Sequence, residues 1–297
     1  MTRATTIERQ ASFIPTSILD YILISTIVPD LHPVLIITIT MKAKELKILR
    51  KKIDKADRLP NPLEALVERS LANDAYSLTK QNEDDENNRP NSLYQLLPNN
   101  FDNTNDSTKF SIQWASSHKD IPLLFPQMIS LFEANMASLY EASSWGLDLE
   151  AKTEELQHRK ARFLVVTTSN NNDNNENDTP TLPQEEAQQQ QQLAAFCHYR
   201  FDYDDDQYPS CAALYLYEIQ VAAAHQSHRL GHALMDTLQH IARDAGMPKV
   251  MLTVFKANTR AMGFYRHKLG YEIDEISPSQ NDDFADYEIL SKDVLAK

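Results

Sequence analysis

The spacing of apolar residues changes along the chain, and these changes predict a succession of helices and strands. One set of apolar residues recurs at three- and four-residue steps, the period of a helix face: Leu124, Met128, Leu131, Phe132, Met136 and Leu139. It predicts a helix over Ile121–Tyr140. A second stripe, with Leu230, Leu234, Leu238 and Ile241, predicts another helix, which Gly246 and Pro248 would end.

Other runs are rich in β-branched and aromatic residues and predict strands. They cover Phe163–Thr167, Leu193–Tyr203, Cys211–Ala222, Val250–Phe255, Tyr271–Ile276 and Asp286–Ser291. A helix is expected over Asn258–Leu269, between the fourth and fifth of these runs. Strands that alternate with helices in the C-terminal half predict an α/β fold in a single domain over residues 41–297.

Two polar segments interrupt this pattern. Residues 81–109 are rich in Asn, Asp and Glu, and residues 169–192 are of low complexity, so both are expected to be disordered inserts. Glu150–Arg162 is charged and helix-permissive, and it predicts an exposed linker. The roles of the two polar inserts stay open.

The N-terminus divides near Met41. Lys42–Arg58 has a helical composition, whereas residues 1–40 are hydrophobic but interrupted by prolines and acidic residues. We therefore expect the functional protein to begin near Met41, and a membrane anchor at 12–41 stays an alternative. Whether residues 1–40 belong to the mature protein stays open.

Composition narrows the classes of partner. The 297 residues carry a net charge of −13, which argues against nucleic acid as a direct partner and suits a cationic substrate. Two cysteines exclude a disulfide framework and fit a reducing compartment. A monomer without a membrane partner is expected.

The segment that follows the third predicted strand has the features of a phosphate-binding loop. It reads His228-Arg229-Leu230-Gly231-His232-Ala233 and leads directly into the second predicted helix. Backbone N–H groups and the helix dipole at such a place favour a pyrophosphate, and small residues let it approach. A zinc site built from His225, His228 and His232 is disfavoured because no neighbouring Glu has the metalloprotease spacing; no metal is expected.

The order of strand, glycine loop, helix, strand, Asn258 and a helix with Tyr265 resembles the acetyl-CoA site of the GCN5-related N-acetyltransferase (GNAT) superfamily. The resemblance implies a mixed, mostly antiparallel, splayed central sheet flanked by helices, with acetyl-CoA as co-substrate. His228 departs from the Gln or Arg that usually opens the superfamily loop, although Arg229 beside it supplies charge.

Further segments narrow the resemblance to the histone-specific NatD family of N-alpha-acetyltransferases. The segments are Arg58–Ala65, Asn135-Met136, Tyr140–Gly146, Tyr199–Asp202, Leu214–Gln220, Val250–Asn258 and Tyr287–Ser291. The family implies acetylation of the α-amine of histone tails that begin Ser-Gly-Arg-Gly, those of histones four and two-A, in the cytoplasm and nucleus. How strictly other termini are rejected stays open.

The resemblance also implies roles for single residues. Cofactor-binding positions are Ile219, Gln220, Val221, Arg229, Leu230, Gly231, His232, Ala233, Leu234, Thr253 and Asn258. Peptide-binding positions are Tyr140, Trp145, Asp202, Tyr215, Tyr217 and Tyr287, and the catalytic set is Glu218, Tyr217 and Tyr265.

These residue types suit the chemistry. Glu218 is the candidate general base for the α-ammonium, the N–H of Ile219 or Val221 the candidate oxyanion donor, and Tyr265 the candidate general acid. Tyr217 and Glu218 alternate in a regular strand, so both reach one site only if the strand bulges between Tyr217 and Val221 or splays from its neighbour.

The neighbouring acidic residues have two interpretations. Asp202 ends a strand beside the expected pocket and is a candidate partner for the substrate arginine. The run Asp204–Asp206, in contrast, is typical of a solvated turn.

Two other functions stay open at this point. An acetyltransferase for lysine side chains or small amines would share the cofactor half and differ in the acceptor pocket. A degenerate GNAT fold that only binds would agree with the unusual His228.

Overall fold

The computed structural model describes residues 33–66, 110–168, 192–205, 209–226, 228–281 and 285–295, and for 33–42 the backbone alone. Residues 1–32, the expected insert at 81–109 and all of the expected insert at 169–192 except Gln192 lie outside the described residues, so those predictions stay predictions.

Helices and strands follow one another as the apolar periods indicate. The helices are α1 Pro33–Ala56, α2 Phe125–Ala142, α3 Leu149–Leu156, α4 Leu230–Asp244, α5 Thr259–Gly263 and α6 Pro278–Asn281. The strands are β1 Phe110–Ala115, β2 Arg162–Thr168, β3 Gln192–Tyr203, β4 Ala212–Val221, β5 Lys249–Phe255, β6 Glu272–Ile273 and β7 Tyr287–Asp293. A π-helical turn, Phe264–Lys268, continues α5.

The strands form one seven-stranded sheet in the order β1-β2-β3-β4-β5-β7-β6. Every neighbouring pair is antiparallel except β4 and β5, which run parallel. This open, mixed sheet with flanking helices confirms the expected α/β GNAT fold.

Both faces of the sheet are covered, as the alternation of β2 shows. Leu164 and Val166 belong to a core cluster that contains buried residues of α1 and α4. Phe163 and Val165 belong to a second cluster with buried residues of α2 and α3. Because side chains alternate along a strand, α1 and α4 pack on one face and α2 and α3 on the other.

Two elements differ from the sequence-based expectations. Strand β1 was not expected; it extends the sheet beyond β2. Helix α3 over the first half of 150–162 agrees with its helix-permissive sequence, but the expected exposure of the whole segment is wrong, because this helix buries Lys152 and Leu156. Asp148 caps this helix by accepting a 2.9 Å hydrogen bond from the Ala151 N–H.

The parallel pair at the sheet centre separates partway along its length. Only Leu214–Leu216 of β4 pair with Val250–Leu252 of β5. The later residues of both strands diverge, which opens a cleft between them. The expected splay is therefore present.

The predicted bulge is also present, at the start of the expected interval. On β3, His198 pairs with Glu218 and the next residue, Tyr199, pairs with Leu216, so Tyr217 is the additional residue. A bulge of this kind bends the strand and redirects its side chains.

The described helices are each too short or too polar to span a lipid bilayer. Helix α1 runs through Met41, the expected start of the functional protein, without a break in its helical backbone. Its C-terminus at Ala56 lies two residues before the end of the stretch Lys42–Arg58, which has a helical composition.

Candidate active site

A cavity of about 1890 Å³ occupies the cleft between the diverging strands. Its walls come from α2, α3, the ends of β3, β4, β5 and β7, the start of α4 and the α5 segment. Except for Leu230 and Leu234, every residue expected in the catalytic, cofactor or peptide site lines it. Those two leucines are buried in the core, so only their backbone could serve a ligand.

The N-terminus of α4 forms one end of the cavity. Its N-cap residue Arg229 adopts a left-handed conformation with φ 57°, and no side chain caps the helix. Gly231, His232 and Ala233 line the cavity. An uncapped helix start offers N–H groups and a positive dipole, which fits a pyrophosphate.

Basic side chains stand near this end. Arg229, Arg260 and Lys268 all line the cavity, and the last two were not expected from the sequence. His228 does not line it and packs its ring at 5.3 Å, edge to face, on Phe110. In this position the His228 ring offers no contact to a phosphate at this wall.

The last residues of β4 offer backbone donors to the cleft. The Ala222 N–H donates to the Ala194 carbonyl at 2.8 Å, so by alternation Ile219 and Val221 direct their N–H groups away from β3. The Val221 carbonyl agrees with this direction, because it accepts a 3.2 Å hydrogen bond from Asn135 Nδ2. Asn135, which also donates to Gln220 Oε1 at 2.7 Å, was not expected as a site residue.

Glu218 is buried in the cavity wall and makes two polar contacts. Its Oε2 lies 3.2 Å from Lys152 Nζ, and its Oε1 accepts a 2.7 Å hydrogen bond from Gln220 Nε2. Burial raises the pKa of Glu218 above its usual range, and the Lys152 ammonium partly offsets the rise. A carboxylate with a raised pKa is a stronger base.

Lys152 is a buried cation that the sequence did not indicate. Its Nζ lies 2.8 Å from Glu155 Oε1 and 4.9 Å from the centroid of the Phe132 ring. Burial alone would lower the pKa of Lys152, but the carboxylates of Glu218 and Glu155 outweigh it and raise that pKa. Lys152 is therefore charged at neutral pH.

Residues 145–271 match the family model described as Acetyltransferase (GNAT) family. This range contains most of the residues that line the cavity, together with the α4 N-terminus and Glu218. Over residues 145–271, the sequence is thus similar to that of GNAT acetyltransferases. GNAT acetyltransferases use acetyl-CoA, and the uncapped helix and basic side chains fit its pyrophosphate.

Solved structures of the GNAT fold are similar to this chain at low identity. Ard1 from Thermoplasma volcanium is 16% identical over 63% of this chain and 99% of its own, with TM-score 0.41. A PaiA N-acetyltransferase from Thermoplasma acidophilum, in complex with coenzyme A, is 14% identical over 62% and 99%, with TM-score 0.39. Nourseothricin acetyltransferase is 20% identical over 46% of this chain, which spans 66% of that protein, with TM-score 0.31. Likenesses this distant do not bear on the substrate.

Tyr217 stands in a stack of rings. Its ring lies 5.1 Å from His198, nearly parallel, and the Arg200 guanidinium lies 4.1 Å from its centroid. Burial lowers the pKa of His198 well below its usual value, and Arg200 adds to the effect. The neutral His198 and charged Arg200 hold Tyr217 at the cavity edge.

An aromatic cluster forms the acceptor side of the cavity. Trp145 lies 5.2 Å from Tyr287 and 5.1 Å from Phe255, and Tyr140 lies 5.0 Å from Phe255. Trp145 is 47% exposed, so it stands at the cavity mouth. Phe255 is a member that sequence reasoning missed, because its strand reads as uniform core.

Two side chains expected at the cofactor, those of Thr253 and Asn258, form hydrogen bonds within the protein. The Tyr215 hydroxyl and Thr253 Oγ1 lie 2.5 Å apart and link β4 to β5. Asn258 Oδ1 accepts a 3.1 Å hydrogen bond from the Ala261 N–H and so caps α5. Both residues line the cavity in these positions.

The acidic turn after β3 contains a structural carboxylate. Asp204 is buried and accepts hydrogen bonds from the N–H groups of Ser210 and Cys211, at 2.9 and 3.0 Å. Burial acts to raise the pKa of Asp204, but these bonds and the Ser210 hydroxyl outweigh it and hold the pKa low. A solvated turn is therefore the wrong interpretation for Asp204. Asp202 lines the cavity, as expected, and Asp204 and Asp205 line it too.

Tyr265 lies in the π-helical turn and is almost fully buried. Burial raises the pKa of its hydroxyl, and the nearby Glu218 adds to the rise. The hydroxyl therefore stays protonated at neutral pH. Within the described ranges, no group of three or more His, Cys, Asp or Glu is placed to hold a metal ion.

Proposed function

We propose that the protein transfers acetyl from acetyl-CoA to the N-terminal α-amine of histone tails that begin Ser-Gly-Arg-Gly. One observation carries the proposal. Six residues that match the NatD peptide pocket come from distant parts of the chain and line the same cavity as Glu218 and the α4 N-terminus: Tyr140, Trp145, Asp202, Tyr215, Tyr217 and Tyr287. Core packing alone would not require such a convergence on one cavity.

Glu218 removes the proton in this proposal. A peptide α-amine has a pKa of about 7.7–8.0, so a modest base suffices to expose its lone pair. Burial of Glu218 raises the pKa of its carboxyl and so brings that pKa closer to the pKa of the α-amine. The carboxylate acts directly or through one water.

Backbone N–H groups and a tyrosine hydroxyl serve the thioester oxygen and the departing thiolate. When bound, acetyl-CoA supplies an activated thioester carbonyl. The N–H groups of Ile219 and Val221, directed into the cleft, are the donors for negative charge on that oxygen. Tyr265, protonated at neutral pH, is the candidate to return a proton to the departing thiolate.

Charge at the cavity favours a cationic peptide. Asp202 lines the wall at the end of β3, where a carboxylate can pair with a guanidinium in a bidentate manner. We propose that Asp202 binds the arginine at the third position of the tail. The aromatic cluster around Trp145 supplies flat surfaces for the peptide backbone.

The decisive experiment is acetylation of a Ser-Gly-Arg-Gly peptide, with fragment mass spectrometry to locate the acetyl group. Matched peptides carry proline at the first position or alanine at the third. We expect α-amine modification and losses of rate with both changes. Modification at a lysine side chain, or equal rates on all peptides, would support the lysine or small-amine alternative. Binding of acetyl-CoA without any transfer would support the binding module.

The proposal also covers the setting of the reaction. We propose that the protein acts in the cytoplasm, where histones are made, and in the nucleus, where they are used. We propose further that it acts as a monomer. Cys197 and Cys211 are free thiols, which suits these reducing compartments.

A further inference from the structure

We infer that Lys152 is a positioning residue that holds the Glu218 carboxylate in place for proton transfer. The inference rests on the proposed function, because it assumes that Glu218 is the base. It goes further by assigning a role to a lysine in a helix that neither the sequence motifs nor the expected site residues include.

The contacts of Lys152 join three parts of the site. Its Nζ lies 3.2 Å from Glu218 Oε2 on β4 and 2.8 Å from Glu155 Oε1 on its own helix. It also lies 5.6 Å from the centroid of the Tyr140 ring, a wall of the peptide pocket. With Gln220 bound to the other oxygen, both Glu218 oxygens are fixed.

Helix α3 places one charged and one apolar side chain in the interior. Its two buried residues are Lys152 and Leu156, one turn apart on the same face. Leu156 packs in the core cluster of α2 and β2, whereas Lys152 lines the cavity. A buried ammonium is costly unless paired, and an apolar side chain would fill a site beside Phe132 at lower cost. A role in fold stability alone therefore explains the lysine poorly.

The remaining groups near Glu218 do not replace Lys152. Besides Lys152, the groups near Glu218 that titrate or carry charge are Glu155 on α3, Tyr140 on α2, His198 on β3 and Tyr265 in the π-helical turn. Burial holds His198 neutral, and burial raises the pKa of each of the two tyrosines, so both stay uncharged. Glu155 is an anion. Lys152 is thus the cation of this set.

The test compares Lys152→Met with Lys152→Arg. Methionine keeps the length of the side chain and removes the charge, so the pKa of Glu218 rises and the carboxyl is protonated over a wider range. We expect the acid limb of kcat against pH to move upward by about one to three pH units in Lys152→Met. Lys152→Arg should return the limb close to its wild-type position. Lys160→Met, at a partly exposed lysine that pairs with Asp57, is the control and should leave the limb unchanged.

A second measurement is independent of turnover. Carbon NMR of protein labelled at the glutamate carboxyls would follow Glu218, identified by the signal that Glu218→Gln removes. The Glu218 pKa should be higher in Lys152→Met and restored in Lys152→Arg. Thermal melting and acetyl-CoA binding confirm that each variant is folded.

The outcomes separate the two proposals. An unmoved limb together with an unmoved Glu218 titration in Lys152→Met would overturn the role of Lys152. A wild-type protein that acetylates no α-amine would overturn the proposed function, while the NMR titration would still decide whether Lys152 controls Glu218.

Discussion

Replacement of Glu218 by glutamine separates proton transfer from every other contribution of the site. Glutamine keeps the shape and the hydrogen-bonding oxygen of the side chain but cannot accept a proton at neutral pH. Glu218 is buried, with both oxygens engaged, so water cannot easily take its place as the base.

The expected loss follows from the role of a positioned base. General acid–base catalysis contributes about 10²–10⁴-fold in rate. At about 1.4 kcal/mol for each factor of ten, the barrier should rise by about 3–5 kcal/mol. The fold should survive, because Lys152 keeps its 2.8 Å contact with Glu155 and so retains one carboxylate partner.

The assay measures release of free CoA with a thiol reagent, against both peptide and acetyl-CoA concentration. We expect kcat to fall by about 10²–10⁴-fold while the KM for acetyl-CoA changes by less than about threefold. Glu154→Gln makes the same chemical change at an exposed position of α3 and is the matched control. A Glu218→Gln enzyme with wild-type kcat would remove Glu218 from the role of base.

Three other substitutions test neighbouring parts of the structure. Asp202→Asn should raise the KM of the Ser-Gly-Arg-Gly peptide by about tenfold and leave that of the alanine-substituted peptide unchanged, as measured by CoA release. Leu234→Ala, in the core, should lower the free energy of unfolding by about 2–5 kcal/mol in urea denaturation, with the KM for acetyl-CoA intact. Asp204→Asn should lower the melting temperature at pH 7. Because hydrogen bonds hold the pKa of Asp204 below its unfolded value, that difference should shrink as the pH falls below about 4 and through the folded pKa.

The periodic elements of this protein were predictable because their signals are local. The apolar stripe of α4 and the continuous run of β5 need only neighbouring residues to be read. Strand β1 escaped because its six residues, Phe110–Ala115, mix polar and apolar positions. Its place in the sheet comes from pairing with β2, a contact between distant parts of the chain.

The candidate site was predictable in its residues but not in its charge balance. Tyr140, Trp145 and Glu218 could be matched through short motifs. Helix α3 reads as a solvated segment because half of its eight residues are charged. The direction of Lys152 depends on how α3 packs against α2 and β4, which no local pattern specifies. The Lys152 ammonium, buried in this way, acts to lower the pKa of the Glu218 carboxyl beside it.

Strand β4 explains why so many roles meet in so short a segment. A regular strand would send Tyr217 and Glu218 to opposite faces and pair its backbone on both sides. The bulge at Tyr217 changes the direction of the side chains, and the loss of pairing to β5 after Leu216 releases the N–H groups of Ile219 and Val221. Unpaired backbone groups are costly in a packed interior but are useful where a ligand enters. The positions of the proposed base and of the proposed oxyanion donors are therefore consequences of the same two departures from sheet geometry, and either departure alone would leave the proposed site incomplete.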